Sequence, residues 1–267
     1  MFWVNGESTD YVSVTDRSFQ YGDGCFTTML TCNGDIQHWA FHVDRMDACL
    51  KLLEIHSPDW NKIYADLKHV ALSSEKAGLK LHISRGEGGR GYSPSSVDTP
   101  NITVSQFSFP NHYESLQRNG VALGVCCKQL GHNPMLAGHK HNNRLEQVLL
   151  KSEMDKRGFA DGISLDIEDN VIETTMANLF WLSDNMIYTP SLDKAGVAGV
   201  MRRLVLDMLP SIGFEVKVGE FKLEQVLDAE ELFITNSILN IAPVTKVEDR
   251  CYAIGKVTRR IQEYFKS

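Results

Sequence analysis

Basic residues are in deficit: 27 Lys and Arg stand against 34 Asp and Glu, a formal net charge of −7. An extended nucleic-acid footprint needs a basic face, so no nucleic-acid partner is expected. A small anionic substrate needs only two or three local cations and is not excluded. Long apolar runs are also missing. No window approaches the roughly 18 consecutive apolar residues of a membrane-spanning helix, so no membrane partner is expected. The opening residues, MFWVNGESTD, have neither the basic stretch nor the apolar run of a secretory signal. Cysteine is scarce and unpatterned: Cys25, Cys32, Cys49, Cys126, Cys127 and Cys251 form no C-x-x-C pair. Adjacent Cys126 and Cys127 point to opposite faces of a strand-like run. All six read as reduced, mostly buried thiols, which places the expected compartment as cytoplasmic. Internal repeats and low-complexity tracts are absent.

What is present is an ordinary globular composition. Hydrophobic residues make up 43% and charged residues 23% of 267, enough for one large core or two modest ones. Strand-like segments open the chain at 2–4, 11–14 and 25–32, the last ending at the turn residues Asn33-Gly34-Asp35. Residues 41–55 carry a helical period with Val43, Met46, Leu50 and Leu53 on one face, and 59–77 a second one with Ile63, Leu67 and Val70. Strand-like alternation follows at 79–84 and 102–109. The polar stretch 110–120 marks a boundary: residues 1–112 form the expected N-terminal domain, 113–120 a linker and 121–267 the C-terminal domain. Within the last, strands are expected at 121–129, 162–189, 231–235 and 241–247, and helices at 143–157, 200–209 and 256–265. Strands and helices come in clusters rather than in strict alternation, which favours an α+β fold.

Residues Gly86-Glu87-Gly88-Gly89-Arg90-Gly91 match G-x-G-x-x-G and follow an apolar strand. A dinucleotide site needs a helix opening at the third glycine, and Tyr92-Ser93-Pro94-Ser95-Ser96 do not start one. A non-enzymatic nucleotide-binding protein is therefore a distant alternative. Two readings of the loop remain: a flexible hairpin-like connection, or a mobile active-site loop carrying Arg85, Arg90 and Tyr92.

Four patches carry chemistry. In Gly138-His139-Lys140-His141-Asn142-Asn143-Arg144, a lysine precedes a helix. Lysine is a poor base at its ordinary pKa of about 10.4, and burial or a cationic neighbour lowers it towards Schiff-base work. From spacing alone, an exposed loop lysine is the favoured reading. His139-x-His141 lacks an acidic or thiol partner at metal-ligand spacing, so no metal is expected. In Val171-Ile172-Glu173-Thr174-Thr175, one carboxylate interrupts apolar strands; it is either a strand-edge residue in solvent or a buried partner for a protonated ring nitrogen. Gly196-Val197-Ala198-Gly199-Val200-Met201-Arg202 runs glycines into a helix start, whose free N–H groups can seat a phosphate. Phe41-His42-Val43-Asp44-Arg45 puts an arginine on the inner half of a helix, a residue type suited to bidentate phosphate binding.

In this order, Tyr21-Gly22-Asp23-Gly24, His42-Val43-Asp44-Arg45, the lysine before a helix, and Glu173 with Asn178-Leu179-Phe180 resemble the fold type IV pyridoxal 5′-phosphate (PLP) enzymes. That group holds the D-amino acid and branched-chain aminotransferases and aminodeoxychorismate lyase. The resemblance spans nearly the whole chain. It implies a two-domain, D-amino acid aminotransferase-like fold, with a smaller N-terminal α/β domain and a larger C-terminal mixed β-barrel-like domain with flanking helices. It implies PLP held by Lys140, its ring nitrogen paired with Glu173, and its phosphate bound by Arg45, the backbone amides of Val200 and Met201, and Ser237. The aminotransferases carry Gly-Ile-Thr-Arg where this chain has Gly199-Val200-Met201-Arg202, so a side-chain role for Met201 is not carried over.

Cys25-Phe26-Thr27-Thr28, Ser84-Arg85-Gly86 through Tyr92-Ser93, and Asn143-Arg144-Leu145-Glu146-Gln147 are similar to the lyase branch. At Thr27 the aminotransferases tend to carry glutamate, and at Phe26 the D-amino acid enzyme has tyrosine. The implied reaction converts 4-amino-4-deoxychorismate to 4-aminobenzoate and pyruvate, a step of folate synthesis. Lys140 would be its base and proton donor, Thr28 a helper near the leaving group, and Arg90, Arg144 and Tyr92 substrate contacts. A D-amino acid or branched-chain aminotransferase is the alternative within the fold. A homodimer is implied as well, with the glycine loop of one chain able to close the partner's site.

Overall fold

Alternation along the strand Gly24–Cys32 organises the first sheet: Cys25, Thr27, Met29 and Thr31 are buried, while Phe26, Thr28 and Leu30 are only half-buried. The computed structural model describes residues 1–265. It divides into two units, one of Met1–Phe109 with His139–Arg144, the other of Pro110–Gly138 and the chain from Leu145 onward.

In the first unit the antiparallel strand order is Glu7–Ser8, Phe2–Val4, Asn101–Ser108, Ala77–Ser84, Gly24–Cys32, Asp35–Ile36. Met29, Leu79, Leu81, Ile83 and Val104 share one apolar cluster with Met46, Cys49, Leu50, Ile63 and Leu67. The last five belong to the helices Trp39–Leu52 and Trp60–Val70. Asp59 starts the second of these by accepting from the N–H groups of Asn61 (2.9 Å) and Lys62 (3.2 Å), two donors that the first turn leaves unpaired. On the first helix the inward face is His42, Met46, Cys49 and Leu50, one position away from the face expected around Val43. A polar residue takes the inner place because its ring nitrogen Nδ1 meets Thr27 Oγ1 at 2.6 Å.

The second unit is built on a mixed sheet of nine strands among the described residues. Its order is Val216–Gly219, Met186–Pro190, Asn178–Ser183, Glu231–Asn236, Asn240–Val247, Val121–Val125, Asp161–Leu165, Val171–Thr174, with Arg250–Cys251 pairing Asn240–Val247. A tight turn closed by Thr174 N–H to Ala177 O (2.8 Å) carries the chain from the last strand of this order back to Asn178–Ser183, so the sheet curls on itself. The directly opposed Phe180 and Phe233 stack with centroids 5.0 Å apart and pack on Met201, Val205 and Ile261 of the helices Val200–Met208 and Lys256–Tyr264. The α+β class expected from the clustering of elements is what forms.

Three segments differ from the sequence-based reading. Residues 113–120, expected as a linker, fall mostly in the helix His112–Asn119, where the carbonyl of Gln117 accepts from Arg259 (3.1 Å) and Gln262 (2.8 Å) of the closing helix. Residues 11–14 form no strand; Tyr11, Val12 and Val14 are exposed. Residues 139–144, read as part of the C-terminal domain, belong to the first unit. No helix among the described residues is long and apolar enough to cross a membrane.

Candidate active site

The segment around Lys140 is held as a short extra edge beside Gly24–Phe26. Phe26 N–H donates to Lys140 O (3.1 Å), Asn142 N–H donates to Gly24 O (2.9 Å), and Cys25 bridges His141. Side chains reinforce the edge: Asn142 Nδ2 donates to Ser18 Oγ (2.8 Å) and Asn143 Nδ2 to Gly22 O (3.2 Å). Gly24 has to be glycine, since a Cβ there would lie 2.1 Å from Ile83 O at a φ of +155°. The Gly22-Asp23-Gly24 motif is thus the seat of the lysine segment. Arg144, expected as a substrate contact, donates to His141 O (2.9 Å) and His139 O (3.3 Å) and braces the backbone on both sides of Lys140. Burial, helped by Arg144, His139 and Lys140, brings His141 down to about 4, and burial lowers His139 too, so both shifts favour the neutral imidazole.

Alternation sorts the neighbouring residues onto two faces. On the outer face, the Lys140 ammonium lies 4.6 Å from the centroid of the Phe26 ring and the Lys80 ammonium 4.5 Å from it. Lys80 is the cross-strand partner of Thr28, and His82 that of Phe26. Burial lowers the Lys80 pKa, and burial with the Lys80 charge brings His82 to about 4. On the inner face, Thr27 Oγ1 accepts from Arg45 Nη2 at 2.6 Å beside the buried His42. Burial brings the Arg45 guanidinium down to about 10, and its buried Nε has no hydrogen-bond partner. Such an orphaned cationic donor is costly unless an anion completes it. Burial, joined by the Arg45 charge, holds His42 well below its usual range.

In the second unit Glu173 is 6% exposed on the strand Val171–Thr174. Its Oε2 accepts from Val197 N–H (3.0 Å) and Asn178 Nδ2 (3.3 Å), and Asn178 also donates to Val197 O (2.9 Å). Asn178 therefore fixes the carboxylate against the segment leading into the helix Val200–Met208. Gly199 caps that helix and must lack a Cβ, which would fall 2.2 Å from Asn178 Oδ1. It supplies no side-chain cap, so the helix-start amides at Val200 and Met201 are left for an outside acceptor. The side chains of Val200 and Met201 are buried in the core. Ser237 is half-buried in the turn between Glu231–Asn236 and Asn240–Val247, which Asn236 Oδ1 shapes by accepting from Ile238 N–H (3.0 Å) and Leu239 N–H (2.7 Å).

Arg90 and Tyr92 are exposed on the glycine loop of the first unit, the Tyr92 ring edge-on to Tyr21 at 5.5 Å. Arg85 is not available to a ligand: it is buried and donates to both Asp23 oxygens (2.8 and 3.1 Å) and to Glu54 O (3.1 Å). The sequence reading missed Lys80. Its place opposite Thr28 follows only from the strand register, although the alternation of Leu79, Leu81 and Ile83 already turned it away from the core.

Each unit by itself offers suitable groups: the first an orphaned cationic donor at Arg45, the second an uncapped helix start at Val200 and a positioned Glu173 carboxylate. The chain belongs to the amino-transferase class IV family, whose model matches residues 24–247. Within it, the chain is 54% identical over 266 residues to the aminodeoxychorismate lyase of Vibrio harveyi, covering 98% of each chain. It is 31% identical to that of Bacillus subtilis, covering all of this chain and 94% of the other. The crystal structure of 4-amino-4-deoxychorismate lyase from Pseudomonas aeruginosa superposes with a TM-score of 0.94 at 33% identity, covering 100% and 98% of the two chains. A branched-chain amino acid aminotransferase of Escherichia coli shares the fold (TM-score 0.90, 99% and 93% covered) at 22% identity.

Proposed function

We propose that this protein is a PLP-dependent lyase that splits 4-amino-4-deoxychorismate into 4-aminobenzoate and pyruvate, in the cytoplasm and in the service of folate synthesis. The observation that carries the reading is the identity of 54% over nearly the full length to a lyase of that name, joined to a lysine seated against Phe26, whose ring a second ammonium, that of Lys80, also meets. Lys140 and Thr28 come from the first unit and Glu173, Val200, Met201 and Ser237 from the second; the proposal is that all serve one cofactor. PLP, when bound, supplies an electron sink for negative charge at the amine-bearing carbon. Glu173 keeps the ring nitrogen protonated, and Arg45, the amides of Val200 and Met201, and the Ser237 hydroxyl hold the phosphate.

Lys140 removes the proton from the amine-bearing carbon of the substrate. Loss of the enolpyruvyl group then makes the ring aromatic, and the same lysine returns a proton to the departing enolpyruvate, which becomes pyruvate. Thr28 hydrogen-bonds the ether oxygen as it leaves. The substrate's two carboxylates need two cations; Lys80 and Arg90 fill these places, with Tyr92 beside Arg90. Arg144 is assigned to bracing the lysine segment.

Purified protein incubated with 4-amino-4-deoxychorismate and no 2-oxo acid tests the reading. Equal amounts of pyruvate and 4-aminobenzoate are expected. Turnover that waits on an added 2-oxo acid would instead make the protein a transaminase.

Arg45→Ala removes a phosphate donor without touching the reacting carbon. PLP affinity is expected to fall by about 10- to 100-fold, the range of a charge-assisted hydrogen bond, with kcat at saturating PLP within about threefold. Spectroscopic titration of the apoenzyme checks this, and unchanged affinity would remove Arg45 from the site. A homodimer is proposed as well, supported by the exposed Leu145, Val148 and Leu149 on one face of the helix Leu145–Arg157. Light scattering is expected to give twice the chain mass, and a fully active monomer would refute it.

A further inference from the structure

Arg17 is more deeply buried than any cation assigned above, at 2% exposure, and nothing in the reaction uses it. It opens the short helix Arg17–Tyr21, which Asp16 caps by accepting from Ser18 N–H at 2.8 Å. The Arg17 guanidinium donates through Nη1 to Gly91 O (3.2 Å) and Ser93 O (3.4 Å) and through Nη2 to Tyr92 O (3.1 Å). Its Nε donates to Asp23 Oδ2 at 2.8 Å, and its charge lies 5.0 Å from the centroid of Tyr21, the ring on which Tyr92 rests. Backbone contacts extend the grip: Arg17 N–H to Gly86 O (2.9 Å), Gly88 N–H to Thr15 O (3.1 Å) and an antiparallel bridge between Asp16 and Glu87. One planar fork thus binds three consecutive carbonyls just after Arg90. Lysine, with a single compact ammonium, cannot reproduce that pattern.

We propose that Arg17 is a positioning residue: it clamps the 86–93 loop into a fixed wall that presents Arg90 and Tyr92 to the substrate. The loop is then an ordered part of the substrate site, not the mobile flap its glycine content suggests. Asp23, shared between Arg17 and Arg85, is the anchor that ties this clamp to the Gly22-Asp23-Gly24 seat of the lysine segment. The inference rests on the lyase reading for the role of Arg90, while the clamp itself rests only on the contacts above.

Both halves are tested separately. Trypsin cuts after arginine, so cleavage of the Arg90–Gly91 bond reports loop opening without any substrate. In the wild-type holoenzyme this bond is expected to be cut at least about 100-fold more slowly than in a free peptide of residues 84–98. Arg17→Lys is expected to speed cleavage by about tenfold or more. In the same variant KM for 4-amino-4-deoxychorismate is expected to rise about 5- to 20-fold while kcat and PLP retention stay within about twofold, the pattern of lost substrate binding. Wild-type cleavage as fast as the peptide's, or no acceleration in Arg17→Lys, would overturn the clamp. Faster cleavage with an unchanged KM would overturn the positioning role. A wild-type protein that forms no pyruvate would overturn the lyase reading and the substrate role with it, and the protease result alone then decides the clamp.

Discussion

Replacing Lys140 by alanine is expected to abolish turnover, by at least about 10⁴-fold, because the base and the covalent anchor of the cofactor disappear together. The fold should survive the change. The segment is seated through the Lys140 carbonyl, the Asn142 and Asn143 side chains and the Arg144 brace, none of which needs the lysine side chain. Lys80 provides the internal control, since its ammonium stands over the same Phe26 ring at nearly the same distance. Lys80→Met is expected to raise KM by about 10-fold or more with little loss of kcat, as befits a carboxylate partner. Steady-state kinetics of the two variants, with circular dichroism to confirm folding, separates the roles. If Lys80→Met lost all turnover and Lys140→Ala kept it, the two lysines would have to exchange assignments.

Glu173→Gln is the second large effect. Glutamine keeps an oxygen for the Val197 and Asn178 donors, so the local structure is retained and only the charge is removed. A neutral partner no longer holds the ring nitrogen protonated, and the electron sink weakens. The expected cost is about 2–4 kcal/mol of barrier, roughly 30- to 1,000-fold in kcat. PLP affinity should change far less, because the phosphate contacts are elsewhere. Wild-type kinetics in this variant would show that the carboxylate is merely a buried strand residue.

Much of this arrangement was legible in the residues, and what was not has a physical reason. The helix start at Gly199–Met201, the carboxylate at 173 and the lysine ahead of the helix Leu145–Arg157 are local features, and local sequence specifies them. The strand alternation around 25–32 and 79–84 was equally plain. Which outward residues of those two strands meet depends on register, and register is a non-local property set by pairing across about 50 residues. Lys80 was missed for that reason. Arg144 was expected at the substrate because two carboxylates call for two cations; its bonds to the His139 and His141 carbonyls depend on how the loop folds back on itself. The polar stretch 112–119 became a helix because the closing helix supplies Arg259 and Gln262 to it, contacts from over 140 residues away. The contacts of the glycine loop were not legible either, since only the fold brings Arg17 to its carbonyls.

Borohydride reduction of the PLP-loaded protein, followed by peptide mapping, tests the central claim most directly. Reduction makes the link between cofactor and lysine permanent. One pyridoxyl group per chain is expected, on the peptide that contains Lys140, with the visible absorption of the bound cofactor lost in step. A label on Lys80 or any other lysine, or no label at all, would contradict the assignment of Lys140 and the mechanism built on it.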